Sequence, residues 1–270
     1  MILGSHTFGF AWHTTPEEAF DALAAIGIRS VQLMATAPHF DPWESDVPRT
    51  RRIRACLEGN RQRALALDLA SSDVNLCSPN PEVVAFARAS YATAIARAAE
   101  LGMPWVCIGS GRRHPLLPKV NAQLMDPLRH VFADLNREAE RQGVALILEN
   151  HPHGLLPSAD EMAGFLDREG YSDMAVIYDV ANAAFIGEDP VAGLERLGQR
   201  TRIVHLSDAK AGRWGHDPIG SGDIDFAAIG RTLASFAYDG HVVLEIMGDS
   251  PAQDTASGVV KLRNMGFAFA

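Results

Sequence analysis

A short apolar, β-prone run followed by a longer amphipathic stretch recurs eight times along this chain, and that recurrence restricts the fold more than any other feature. The runs begin with Ile2-Leu3-Gly4-Ser5, Ser30-Val31-Gln32-Leu33, Ala66-Leu67-Asp68-Leu69-Ala70 and Trp105-Val106-Cys107-Ile108. They continue with Val144-Ala145-Leu146-Ile147-Leu148, Met174-Ala175-Val176-Ile177-Tyr178, Arg202-Ile203-Val204-His205-Leu206 and His241-Val242-Val243-Leu244-Glu245-Ile246. Strands alternating with helical stretches read as βα units feeding a parallel sheet. Eight such units close a sheet on itself, and 270 residues is close to the roughly 250 typical of that closed form. The expectation is an α/β fold, a single (β/α)8 TIM barrel spanning residues 1–270, since no linker, low-complexity segment or composition break divides the chain.

The helical stretches carry recognisable ends. Thr14-Thr15-Pro16-Glu17-Glu18 offers an N-cap, a first-turn proline and acids that complement the helix dipole, and Gly27 stands where a C-terminal glycine belongs. The stretch from Pro81 stops at Gly102, and the one over 124–142 stops at Gly143. Ser158-Ala159-Asp160-Glu161 resembles a capping box, Asp189-Pro190 opens another helix, and helices are expected over 225–236 and 250–262. An open doubly wound sheet shares this alternation, but it typically follows its first strand with a glycine-rich phosphate turn. Here the first strand runs into Ser5-His6-Thr7-Phe8-Gly9-Phe10, which has no such turn.

Barrel strands point their last side chains into the C-terminal mouth, where active sites are built. Four successive strands end in a metal-competent group: Glu149 after the fifth, Asp179 after the sixth, His205 in the seventh and Glu245 in the eighth. Each has an ordinary structural reading on its own, as a helix cap, an arginine partner or a hydrogen-bonded core histidine. Together, at intervals of 30, 26 and 40 residues, they match the βα period. Three carboxylates and one imidazole form a mixed oxygen and nitrogen set suited to one divalent ion, Mn2+ first, with Mg2+, Co2+ or Zn2+ as alternatives.

With those residues in view, the chain resembles the xylose isomerase-like barrel superfamily of sugar isomerases, ketose 3-epimerases and family 2 apurinic endonucleases. The likeness covers nearly the whole chain and is most specific through LILENH, IYDVAN, IVHLSD, GHDPIGSGDIDF and VVLEI. It implies that Glu149, Asp179, His205 and Glu245 hold the metal and that Glu149 and Glu245 double as acid/base catalysts on opposite faces of a bound sugar. A metal chelated by a carbonyl and its neighbouring hydroxyl acidifies the adjacent C–H. One glutamate removes that proton to give an enediolate. Return from the other face inverts the centre, and return to the neighbouring carbon isomerises ketose to aldose. The leading expectation is therefore a metal-dependent sugar or sugar-phosphate isomerase or 3-epimerase. A lyase resembling the inosose or 3-dehydroshikimate dehydratases is the alternative, since it begins with the same proton removal. The resemblance also implies a homo-oligomer.

The chain departs from the pattern at Asn182, where many members carry a histidine; asparagine hydrogen-bonds a sugar hydroxyl but shuttles no proton. A similar run occurs in the phosphopentulose 3-epimerase branch. Multi-metal endonucleases need further histidines at the third and fourth strands, where this chain has Ser71-Ser72-Asp73 and Gly109-Ser110-Gly111. Trp12, His151, Asn182, Arg213 and His216 are expected substrate contacts, with Phe8 and His153 nearby, while Gly220, Gly222 and Asp225 read as turn formers. A net charge of −9 with no basic stripe beyond Arg49-Thr50-Arg51-Arg52 argues against a nucleic-acid partner. Three scattered cysteines read as free thiols in a reducing compartment. With no signal-like start and no apolar run of about 18 residues, the expected compartment is cytoplasmic, with no membrane partner.

Overall fold

The computed structural model describes residues 1–44, 47–70, 74–113 and 121–270. Its eight strands are β1 (Ile2–His6), β2 (Ser30–Ala35), β3 (Arg63–Leu69), β4 (Trp105–Ile108), β5 (Ala145–Glu149), β6 (Val176–Asp179), β7 (Thr201–Leu206) and β8 (His241–Leu244). They are all parallel, ordered β1 through β8, and β1 pairs with β8 to close the barrel. The (β/α)8 expectation holds. Around it lie α1 (Pro16–Ala25), α2 (Val47–Gly59), α3 (Pro81–Leu101), α4 (Asn121–Arg141), α5 (Ala159–Arg168), α6 (Val180–Phe185), α7 (Pro190–Leu197), α8 (Phe226–Ser235) and α9 (Pro251–Asn264). No helix among the described residues is long and apolar enough to cross a membrane.

The helix ends follow their local chemistry. Thr15 and Glu18 form a capping box at α1, and Ser158 and Glu161 form one at α5. Asp225 caps α8 through Ala228 N–H, as a turn-forming role requires. The short α6 was not anticipated: six residues carry too little periodicity to register, and its start is fixed by Asp179 accepting from Asn182 N–H.

Two apolar layers result. Leu65, Cys107, Ile147, Ile177, Ile203 and Val243 fill the barrel interior, while Phe20, Leu23, Phe132, Phe165, Leu194 and Phe226 belong to the larger core between strands and helices. Side chains alternate along a strand, so Leu65 and Asp68, three positions apart, belong on opposite faces of β3. The β2–β3 register shifts instead, with Val31 opposite Ala64 and Gln32 opposite Ala66. That bulge lets Leu65 face the interior on the same side as Asp68, whose neighbours Leu67 and Leu69 face the outer core and leave it pointing into the mouth.

The strand bearing Asp179 is braced from outside. Tyr178 is buried, its hydroxyl donates to Glu188 Oε2 at 3.0 Å, and Glu188 Oε1 accepts from Ala159 N–H at the start of α5. Helix α7 reaches this tyrosine because residue 193 is glycine; a Cβ there would lie 1.9 Å from the Tyr178 hydroxyl. In an open helix, alanine is favoured over glycine by about 1 kcal/mol, whereas forced overpacking costs about 1–3 kcal/mol. Gly193→Ala is therefore expected to lower the melting temperature in calorimetry. Gly164→Ala, whose Cβ would meet only the movable end of Arg168, should leave it unchanged or raise it. A Gly193→Ala protein as stable as the parent would contradict this packing.

His241 opens β8, buried, with Nε2 lacking a partner. Burial pushes it down to about 4, and the Arg63 charge adds to the effect. Its folded-state pKa lies below the unfolded value, so the unfolded chain takes up a proton first. The stabilisation is present above about pH 6.5 and is lost as pH falls toward 4. Melting temperature should consequently fall less steeply with acid in His241→Gln than in the parent, and identical slopes would refute the assignment.

Candidate active site and metal centre

Glu149, Asp179, His205 and Glu245 converge at the mouth, each offering one donor atom within 4.8 Å of the other three. Donors about 2.0–2.6 Å from one ion stand at most about 5 Å apart, so a single cation fits among them. His205 and Asp179 are wholly buried and Glu245 is 5% exposed, while Glu149 is partly open to the cleft. The hub is His205 Nδ1, which lies 2.9 Å from Glu149 Oε1, 3.1 Å from Glu245 Oε2 and 3.8 Å from Asp179 Oδ2. None of these contacts has hydrogen-bond geometry, and both His205 Nδ1 and Asp179 Oδ2 are buried without a partner. Two orphaned donors aimed at one point, among three carboxylates, are what a cation site presents.

The strand ends explain how the donors are held. Asn150 Nδ2 donates to the Asp179 carbonyl at 2.9 Å, and Asp179 N–H donates to Asn150 Oδ1 at 2.7 Å. This side-chain pair continues the β5–β6 ladder past the point where the backbones separate. Asp179 divides its carboxylate between two tasks, Oδ1 capping α6 through Asn182 N–H at 2.8 Å and Oδ2 facing the cluster. The helix-cap and ligand readings of Asp179 are thus compatible.

Burial is the largest influence on Asp179, pushing it up to about 7, with Glu245 and Glu149 adding and His216 and His205 opposing. Burial likewise raises Glu149. Burial would raise Glu245 too, but His205, His216 and His6 outweigh it and hold that carboxyl low. For His205, burial favours the neutral ring, yet the Glu245 and Glu149 carboxylates prevail and move it well above its usual value. The cluster attracts positive charge.

Two smaller groups of donors adjoin it, His6 with Asp68 and Glu245, and Asp68 with Cys107 and Glu149. These largely satisfy one another. His6 Nδ1 accepts from Phe8 N–H at 2.9 Å, so its other nitrogen donates to Asp68 Oδ2 at 3.2 Å. Cys107 Sγ donates to Glu149 Oε2 at 3.1 Å, and burial raises that thiol well above its usual range. Asp68, Cys107 and His6 were not foreseen as site residues: contacts with side chains on other strands put them there. Gly109 and Ser110 follow β4; the Ser110 hydroxyl accepts from Leu156 N–H, a structural role. Ser71, Ser72 and Asp73 lie outside the described residues.

A cleft of about 340 Å3 opens above the cluster, and Glu149 and Glu245 both line it. Of the expected substrate contacts, Trp12, His151, Asn182 and His216 also line it, as does Phe8. Trp12 is 65% exposed at the rim. His216 lies deeper, its Nδ1 3.0 Å from Ser207 Oγ and 3.5 Å from Glu245 Oε2. Arg213 does not reach the cleft; its guanidinium pairs with the Asp217 carboxylate in the same loop. The neighbouring Trp214 does, packed between His151 and His153 at centroid distances of 5.2 and 5.0 Å. Its indole N–H donates to Asn182 Oδ1 at 2.8 Å, and Asn182 Nδ2 donates to the Asn150 carbonyl at 3.0 Å. Asn182 thus anchors an aromatic wall while also lining the cleft.

The loop carrying Trp214 and His216 is folded by Asp208, whose carboxylate accepts from the amides of Ala209, Gly220 and Ile224. A Cβ at Gly222 would lie 2.4 Å from both the Ala209 carbonyl and Asp208 Oδ1. A hollow of about 670 Å3 between α3 and α4 is lined by ion-paired residues such as Arg88, Arg137 and Asp134 and holds no comparable group of donors.

Residues 20–265 match the family described as xylose isomerase-like TIM barrel. The chain is 24% identical over 243 residues to a D-psicose 3-epimerase of Ruminiclostridium cellulolyticum, covering 87% of this chain and 79% of that protein. It is 25% identical over 146 residues to an inosose dehydratase of Clostridium beijerinckii, about half of each chain (48% and 49%). Among solved structures, a D-tagatose 3-epimerase-like protein aligns with a TM-score of 0.82 at 19% identity, covering 98% of this chain and 97% of that one. The D-psicose 3-epimerase of Clostridium cellulolyticum H10, solved with D-tagatose, aligns at 0.81 and 17% identity over 99% and 100% of the two chains. At such identities the structural likeness speaks to the fold.

A ligand that binds only the folded state stabilises it by about 2.7 kcal/mol at one hundred times its Kd, or roughly 5–10 °C for a chain of this size. Chelator-stripped protein is expected to gain that much in melting temperature on adding Mn2+, and less in Asp179→Asn. No gain with Mn2+, Mg2+, Co2+ or Zn2+ would remove the metal centre.

Proposed function

The chain belongs to the xylose isomerase-like TIM barrel family, and from that premise we propose that it is a divalent-metal-dependent ketose 3-epimerase. The observation that carries the reading is the pair Glu149 and Glu245. Each places one carboxylate oxygen beside His205 Nδ1 and keeps the other in contact with a different neighbour, Cys107 for Glu149 and His6 for Glu245. Both carboxylates border the same cleft from strands on either side of β6 and β7. The relative named as a D-psicose 3-epimerase, matched over 79% of its length, supports the same activity.

Glu149, Asp179, His205 and Glu245 would hold the cation, which when bound supplies Lewis-acid polarisation of the substrate carbonyl. The protein's own residues supply the proton transfers. A ketose lying in the cleft presents the C–H beside its carbonyl to one glutamate. That carboxylate takes the proton, the C–H electron pair moves into the carbonyl, and the substrate becomes an enediolate. The second glutamate returns a proton to the same carbon from the opposite face, which inverts it. The reaction is neutral overall, with one C–H bond broken and one formed. His216, beside Glu245 Oε2, is placed to hydrogen-bond a substrate oxygen. Trp214 and Phe8 offer apolar walls to the carbon skeleton and help exclude water.

The dehydratase reading rests on the half-length likeness to the inosose dehydratase and shares the first proton removal. The two separate in D2O. Metal-loaded protein given ketoses should place deuterium on the carbon beside the carbonyl and yield the epimer, whereas a dehydratase would give a conjugated enone with new ultraviolet absorbance. Glu149→Gln and Glu245→Gln are each expected to lower turnover by about 10²–10⁴-fold, the usual worth of a positioned acid or base. Absence of exchange across free and phosphorylated ketoses, or a Glu149→Gln protein of full activity, would end the epimerase proposal.

A further inference from the structure

Gln32 lies in the middle of β2, wholly buried, with its side chain pointing into the barrel between the outward-facing Val31 and Leu33. Its carboxamide crosses the interior to the far wall: Oε1 stands 2.9 Å from Nε2 of His205 on β7, 173 positions away in sequence. An amide oxygen only accepts, so His205 Nε2 must carry the proton in this contact. A histidine that ligates a metal is a neutral imidazole. With its proton fixed on Nε2, the lone pair sits on Nδ1, the atom that faces Glu149, Asp179 and Glu245. That lone pair pointing at three carboxylate oxygens is unfavourable unless a proton or a metal cation stands between them.

The other end of the glutamine is equally informative. Gln32 Nε2 is buried without a hydrogen-bond partner. A glutamine kept for packing alone would have both ends satisfied or be replaced by an apolar residue of its size. Here the oxygen is engaged and the nitrogen is orphaned, so the acceptor is the useful end. Exchanging the amide's O and N would give the opposite result: a donor at Nε2 would force the proton onto Nδ1 and close the site to metal.

We infer that Gln32 is a positioning residue for the metal centre, holding His205 in the tautomer whose Nδ1 completes the cation site. The inference rests on the four-ligand reading above and concerns metal affinity, not turnover. An outer acceptor of this kind is generally worth 10–100-fold in metal affinity.

The test is Mn2+ titration calorimetry on chelator-stripped protein. Gln32→Leu is expected to bind 10–100-fold more weakly with its circular dichroism and fold unchanged, while Gln32→Glu, which retains an acceptor facing Nε2, should stay within a few-fold of the parent. Parent-like affinity in a folded Gln32→Leu protein would overturn the inference while leaving the metal centre intact; failure of the parent itself to bind would overturn both. A second measurement needs no variant. In Mg2+- or Zn2+-loaded protein, nitrogen-detected NMR of the His205 ring should show a protonated Nε2 and an unprotonated Nδ1. The reverse tautomer would refute the role given to Gln32.

Discussion

Three carboxylates held within 4.8 Å of one imidazole nitrogen in a buried mouth are the constraint on which the rest of this structure turns. Two like charges 4 Å apart repel by about 4 kcal/mol at an effective dielectric of 20. Three such pairs therefore approach the whole 5–15 kcal/mol by which a folded protein is ordinarily stable. The barrel cannot carry that load uncompensated. It is met by positive charge at the centre and by a scaffold stiff enough to stop the donors from drifting apart. Asn150 locks the Asp179 backbone, Tyr178 ties β6 to α5 through Glu188, and Gln32 reaches across the barrel to His205. The strong rise of His205 and the lowering of Glu245 are two faces of the same balance.

The four donors were readable in the sequence because each interrupts an apolar strand at its end, and burying a charge there is too costly to be casual. Period did the rest, since four interruptions in register with eight βα units define one rim of one barrel. Other parts of the site had no such signal. Asp68 is a single acid inside an apolar strand, turned inward between Leu67 and Leu69, and nothing local says which donors it will meet. Cys107 reads as one more apolar core residue, and Gln32 as a solitary polar residue in a buried strand. Their contacts run between side chains of neighbouring β4 and β5, and across the closed barrel between β2 and β7, and neither leaves a local sequence pattern.

Arg213 shows the converse. Its residue type suited a substrate contact, but Asp217, four positions on in the same loop, claims the guanidinium, and the adjacent Trp214 turns into the cleft instead. Loop sequence identifies which chemistries are present. Which of two neighbours faces inward is decided by backbone constraints such as the Asp208 carboxylate gathering the amides of Ala209, Gly220 and Ile224.

Asn182, which stands where the resemblance led a histidine to be expected, is committed within the protein. The asparagine has its oxygen on the Trp214 indole and one amide hydrogen on the Asn150 carbonyl. Asn182 thus anchors an aromatic surface, Trp214, set against His151 and His153 and opening onto the cleft. On the epimerase proposal, a ketose in this cleft would meet the flat apolar wall of Trp214. Aromatic faces favour the C–H side of a sugar over its hydroxyls. On the epimerase proposal, Trp214 would select by shape the orientation of hydroxyls away from the reacting carbon, while the metal-competent cluster below it would fix which C–H bond lies between Glu149 and Glu245.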